Sequence, residues 1–183
     1  MAILTTMKLW LDCTNGLTSA KFLDAIARVL PNTRSWHDVQ RFMNSNRAQQ
    51  QAEAVFEVLA HAEAAAHETT LDKMHFHEVG RLQNLTNVLG IFAVLDMMGI
   101  EEWYASPPII GNGTVTCSHG ELPIPAPATA RIIETHNIPI TSVPDTPIVG
   151  ELTTPTGAAL LTQASGFLAE PPKDALILRT EVR

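Results

Sequence analysis

The sequence predicts an α/β fold, a single domain with a small, mostly parallel sheet flanked by helices and proline-rich loops in its second half. Three observations predict it. A short apolar strand pattern comes early, long blocks of helical periodicity follow, and a second strand pattern comes after them, the order that a βαβ crossover produces. With 183 residues, 45% of them hydrophobic and 17% charged, the chain is long enough to bury one core of ordinary domain size.

Lys8-Leu9-Trp10-Leu11-Asp12-Cys13 reads as a buried strand, and Thr14-Asn15-Gly16 as its turn into a helix capped at Thr18 or Ser19. Phe22, Leu23, Ile26, Val29 and Leu30 then recur at helical spacing. Residues 31–47 are polar and hold no period, and are expected to be a linker or irregular loop. From Ala48 to about Thr69 the chain is rich in Ala, Gln and Glu, with Val55, Phe56, Leu59 and Ala62 on one face of a long amphipathic helix. A further helix is expected from about Asn84 to Met98 with Gly99 as its cap, and then a strand over Glu102-Trp103-Tyr104-Ala105-Ser106. The stretch from Pro107 to Pro147 holds eight of the twelve prolines, so it must be largely loops and sheet edges. Short helices fit from Pro127 to His136 and from Pro155 to about Ser165, the second opening on the start signal Thr154-Pro155.

Composition excludes several function classes. A formal charge of −7, with 12 Lys and Arg spread thinly, offers no basic stripe for a nucleic acid or an anionic membrane. Such a surface can favour cations, although it also serves plain solubility. Cys13 and Cys117 stand in unrelated contexts, with neither a disulfide framework nor a thiolate zinc site in prospect. No basic and apolar leader is read at Met1 to Met7, and the most apolar run, Leu85 to Ile100, is too short to span a bilayer, so the cytoplasm is the expected location. The oligomeric state is not encoded in any feature of the sequence, and a homo-oligomer is compatible with it.

The sharpest chemical signal is His75-Phe76-His77-Glu78-Val79-Gly80. Imidazoles two apart point the same way on an extended backbone, with Phe76 packing oppositely. Glu78 beside them can serve as an oxygen ligand, as an acceptor for an imidazole or as a general base, and mixed nitrogen and oxygen ligation suits nickel, zinc or iron. Structural histidines near a helix start are the alternative. His61, Glu63 and His67, four or fewer apart on an Ala-rich helix, read as a solvated face. Thr154, Thr156 and Gly157 belong to a helix start whose amides and hydroxyls can hold a phosphate or carboxylate, or simply cap the helix. Gly16 and Ser19, at the turn after the first strand, invite the same two readings, and both turns are expected to face one cleft. Asp12 ends an apolar strand, where a carboxylate needs a partner, a cation or water; a structural hydrogen bond is the alternative to a catalytic role.

Taken in order, Leu11-Asp12-Cys13-Thr14-Asn15-Gly16, Met74-His75-Phe76-His77-Glu78-Val79-Gly80 and Gly111-Asn112-Gly113-Thr114-Val115 resemble the LarC family of nickel-pincer cofactor biosynthesis. The series continues through His119-Gly120-Glu121-Leu122-Pro123-Ile124-Pro125-Ala126-Pro127-Ala128-Thr129 and Gly150-Glu151-Leu152-Thr153-Thr154-Pro155-Thr156-Gly157-Ala158-Ala159-Leu160. The resemblance is to the amino-terminal half of that family. It implies a part in inserting nickel into a pyridinium bis(thiocarboxylate) mononucleotide in a CTP-dependent reaction, for which the residues read above offer His75, His77 and Glu78 as candidate metal-holding side chains and Asp12 and Glu78 as candidate catalytic ones. Where the family carries carboxylates, this chain has Ala20, Gln83 and Asn87. The CTP-associated carboxyl-terminal domain, with its second divalent ion, has no counterpart in these residues. The resemblance therefore implies a separate LarC-like chain as partner, or else a non-catalytic binding or regulatory paralogue.

Overall fold

A computed structural model describes residues 7–30, 35–117, 120–141 and 150–181. The residues before Met7, part of the 31–47 stretch, His119 and residues 142–149 of the proline-rich segment lie outside them.

The α/β fold is built on a four-stranded, wholly parallel sheet whose strands lie in the order β7 (Gly166–Phe167), β2 (Ile100–Ala105), β1 (Met7–Asp12) and β8 (Leu176–Arg179). Strand β1 (Met7–Asp12) is central, and Leu9, Trp10 and Leu11 are all buried, as a strand covered on both faces requires. On one side it pairs with β2 (Ile100–Ala105), Leu9 lying opposite Trp103 and Leu11 opposite Ala105. On the other it pairs with β8 (Leu176–Arg179), Leu9 opposite Leu176 and Leu11 opposite Leu178. The two-residue strand β7 (Gly166–Phe167) extends the sheet beyond β2. Two small antiparallel pairs stand apart from it: β3 (Gly111–Asn112) with β6 (Gly150–Glu151), and the hairpin of β4 (Thr114–Cys117) and β5 (Gly120–Pro123).

Four helices connect β1 to β2: α1 (Ser19–Val29), α2 (Trp36–Met43), α3 (Asn46–Ala66) and α4 (Leu82–Met97). Two more, α5 (Pro127–Thr135) and α6 (Pro155–Leu161), follow the second strand. Helix α3 packs against α4, α5 and α6, and α1 against α4, so that Phe22, Leu59, Phe92, Ile132 and Leu160 join Leu9, Leu11 and Trp103 in one apolar core. Among the described residues no helix is long and apolar enough to cross a membrane.

Two departures from the sequence reading are corrections. The stretch expected to be a linker or irregular loop contains α2, which starts with a reciprocal cap: Asp38 N–H donates to Ser35 Oγ at 3.1 Å, and Ser35 N–H donates to the Asp38 carboxylate at 3.0 Å. Its apolar residues Trp36, Val39, Phe42 and Met43 recur at helical spacing, although none of them is buried. Strands β7 and β8 were not anticipated, because each is short and completed by distant partners.

Candidate functional site

Four helices begin at one place. A cleft of about 610 Å³ is lined by Thr18, Arg81, Ala126 and Thr154, the residues that cap the amino ends of α1, α4, α5 and α6. Local chemistry sets each start. Thr18 and Thr154 accept hydrogen bonds from the amides three residues on, Lys21 and Gly157, while Pro127 and Pro155 pre-set the backbone at the first turns of α5 and α6. Arg81 and Ala126 make no side-chain cap. Helix amino ends carry partial positive charge, which favours an anion at this end of the cleft and is set against the carboxylates of Glu63, Glu78 and Glu151 that also line it.

The starts of α1, α4 and α6 are tied together by a polar network. Ser19 Oγ donates to Asn84 Oδ1 at 2.8 Å, and Asn84 Nδ2 donates to Thr156 Oγ1 at 3.0 Å and to the Val79 carbonyl at 2.7 Å. Asn87 Nδ2 donates to Ser19 Oγ at 3.3 Å, and its Oδ1 accepts from Gln83 Nε2 at 2.8 Å. Gln83 and Asn87 thus hold each other and Ser19 through neutral groups. The β1–α1 turn and the start of α6 meet backbone to backbone: Thr154 N–H donates to the Leu17 carbonyl at 3.1 Å, and Leu17 N–H to Thr153 Oγ1 at 3.0 Å. A Cβ on Gly157 would strike the Leu17 carbonyl, and one on Gly16, at φ +73°, would strike the Leu152 backbone.

Ionisable groups gather on the cleft from α3 and from the loop before α4. Glu63 and His67, at the end of α3, line it together with His77 and Glu78. The His67 and His77 rings stand 6.0 Å apart between centroids, inclined at 64°, and Glu63 Oε2 lies 3.6 Å from His67 Nε2. Phe76 turns inward, edge-on to Phe56 at 6.2 Å. Glu151, from β6, completes the acidic lining; one carboxylate oxygen is buried without a hydrogen-bond partner, and burial holds its pKa above the ordinary value. The hairpin contributes Val115 and Leu122, which face each other across its strands.

Of the residues singled out from the sequence, the structure brings Ser19, His77, Glu78, Thr154 and Thr156 to this cleft. Asp12, Gly16, His75 and Gly157 are not among its described lining residues. Asp12 accepts from Thr14 N–H at 3.0 Å and Thr14 Oγ1 at 2.6 Å, with Arg179 Nε 3.8 Å from its other oxygen. Gly16 and Gly157 occupy the backbone contact between the two turns. No three His, Cys, Asp or Glu side chains among the described residues are placed to hold a metal ion. Sequence reasoning missed Glu63 and His67 as site residues, since a helix face carrying them looks solvated, and gave no role to Asn84 or Glu151.

The family model described as nickel insertion protein matches residues 9–179. Among curated relatives named as nickel insertion proteins, one from Roseiflexus castenholzii is 50% identical over 114 residues, covering 62% of this chain and 28% of that protein. One from Myxococcus xanthus is 37% identical over 165 residues, covering 84% of this chain and 40% of its own length. A third, from Citrifermentans bemidjiense, is 43% identical over 131 residues, covering 71% of this chain and 33% of that protein. In these three comparisons the chain spans 28%, 40% and 33% of its relatives' lengths. No solved structure matches.

Proposed function

The chain belongs to the nickel insertion protein family, and on that premise we propose that its cleft holds an anionic mononucleotide while nickel is delivered to it. The observation that carries the reading is the meeting of four helix amino ends at a cleft that also carries His67, His77, Glu63 and Glu78. Helix amino ends suit a phosphate, and imidazole suits nickel, so one cleft offers both halves of a metal-to-anion encounter. The proposed substrate is a pyridinium bis(thiocarboxylate) mononucleotide, and the product its nickel-pincer form. Thr154 and Thr156 supply hydroxyls near the anion, braced by Ser19 through Asn84, with Gly16 and Gly157 permitting the close turn that sets them. Nickel is cargo in this reading, not a resident cofactor.

CTP and a second divalent ion are assigned to a carboxyl-terminal LarC-like domain acting with this one. Neutral Gln83 and Asn87, tied to Ser19, bring no charge to hold a hard cation in the network itself. That neutrality favours the second reading, a ligand-binding paralogue without turnover. The test is incubation of the purified chain with precursor, nickel and CTP, repeated with a family carboxyl-terminal domain added in trans. Nickel-pincer product is expected only with the added domain. Turnover by the chain alone overturns the division of labour, and no product in either case, with precursor still bound, selects the paralogue.

A further inference from the structure

We infer that the metal-docking pair of the cleft is His67 and His77, two imidazoles that hold nickel in transit and leave its remaining positions to water and the bound anion. This deepens the proposed function and rests on it. The adjacent pattern His75-Phe76-His77 draws attention in the sequence, yet only its second histidine lines the cleft. Phe76 anchors inward on Phe56, and the loop returns His77 to the end of α3, where His67 stands.

The separation of the two rings is compatible with one ion between them. With a metal–nitrogen distance of about 2.0–2.1 Å, each ring centroid lies about 3 Å from the metal, and two such rings are about 5–6 Å apart when the nitrogens meet at an open angle. The observed separation is 6.0 Å. Glu63, whose Oε2 is 3.6 Å from His67 Nε2, adds negative charge beside the dock. Imidazole is a suitable donor for nickel. Closed sites with a full ligand set retain their metal, whereas an ion that must be handed on needs open positions for the incoming ligand.

The experiment is calorimetric titration of the whole chain with nickel alone, comparing His67→Ala, His77→Ala and His75→Ala, with circular dichroism to verify folding and inorganic phosphate titrated in parallel. His67→Ala and His77→Ala are each expected to weaken nickel binding at least about tenfold, no less than loss of an outer-shell partner, while His75→Ala stays within about twofold of the parent. Phosphate affinity is expected to be unchanged in all three. Nickel affinity that falls in His75→Ala but not in His67→Ala overturns the pair, as does unchanged affinity in both His67→Ala and His77→Ala; either outcome leaves the functional reading standing. No nickel binding by the parent chain overturns the pair and that reading together.

Discussion

Glu151 lines the cleft with one buried, unpartnered oxygen, and burial raises its pKa. The folded protein therefore keeps this proton to a higher pH than the unfolded chain does. Below the ordinary glutamate range the group is protonated in both states and costs nothing. As pH rises from that range to the raised folded value, the unfolded chain ionises first, stability falls, and the loss persists above the window. Glu151→Gln should thus melt at a higher temperature than the parent at neutral pH, with the gap closing as pH drops below about 4. Thermal melts of both proteins across that range decide it, and a gap that widens in acid contradicts the account. Cys13 shows burial acting on a thiol: it is fully buried, and burial first and then the charge of Asp12 push its pKa up, while Lys21 pulls it down. A thiol so placed is a small apolar core group, not a nucleophile.

Between elements, the decisive contact is the one that sets α6 against the β1–α1 turn. Gly157 is in the first turn of α6, buried, with no room for a methyl group before the Leu17 carbonyl. Gly157→Ala must push two backbones apart, and a loss of about 1–3 kcal/mol is expected in urea denaturation. A neutral result would mean that α6 can slide without cost. The capping signals at Thr18 and Thr154-Pro155 were legible in the sequence because a cap is satisfied within three residues. Helix α2 carries both signals, the Ser35–Asp38 cap and the spacing of Trp36, Val39, Phe42 and Met43, but the polar Asn, Arg and His residues around them hid it. The cleft was half legible. Ser19, Thr154 and Thr156 announce themselves by helix starts, whereas His67 gains meaning only once the loop returns His77 to it.

For the whole molecule, the sheet depends on a strand far along the chain. Leu178 is buried opposite Leu11, and Thr180 just beyond donates from N–H and Oγ1 to the Asp12 carbonyl at 3.1 and 2.9 Å. Asn15 returns a hydrogen bond to the Thr180 carbonyl at 2.8 Å, so β8 steadies the turn that leads into the cleft. Leu178→Ala should cost about 2–5 kcal/mol by chemical denaturation, as for other buried leucines. A cost below about 1 kcal/mol would make β8 an appendage. The α/β class was legible because β1, the helical blocks and β2 each carry local periodicity; β8 exposes alternate residues and is specified by its register with β1. During synthesis this arrangement leaves a gap in time. At about 5–20 residues per second, the ribosome delivers Leu178 roughly ten to thirty seconds after Leu11. For that interval β1 presents a bare parallel edge, and nascent chains growing side by side on one messenger could pair through it before β8 arrives.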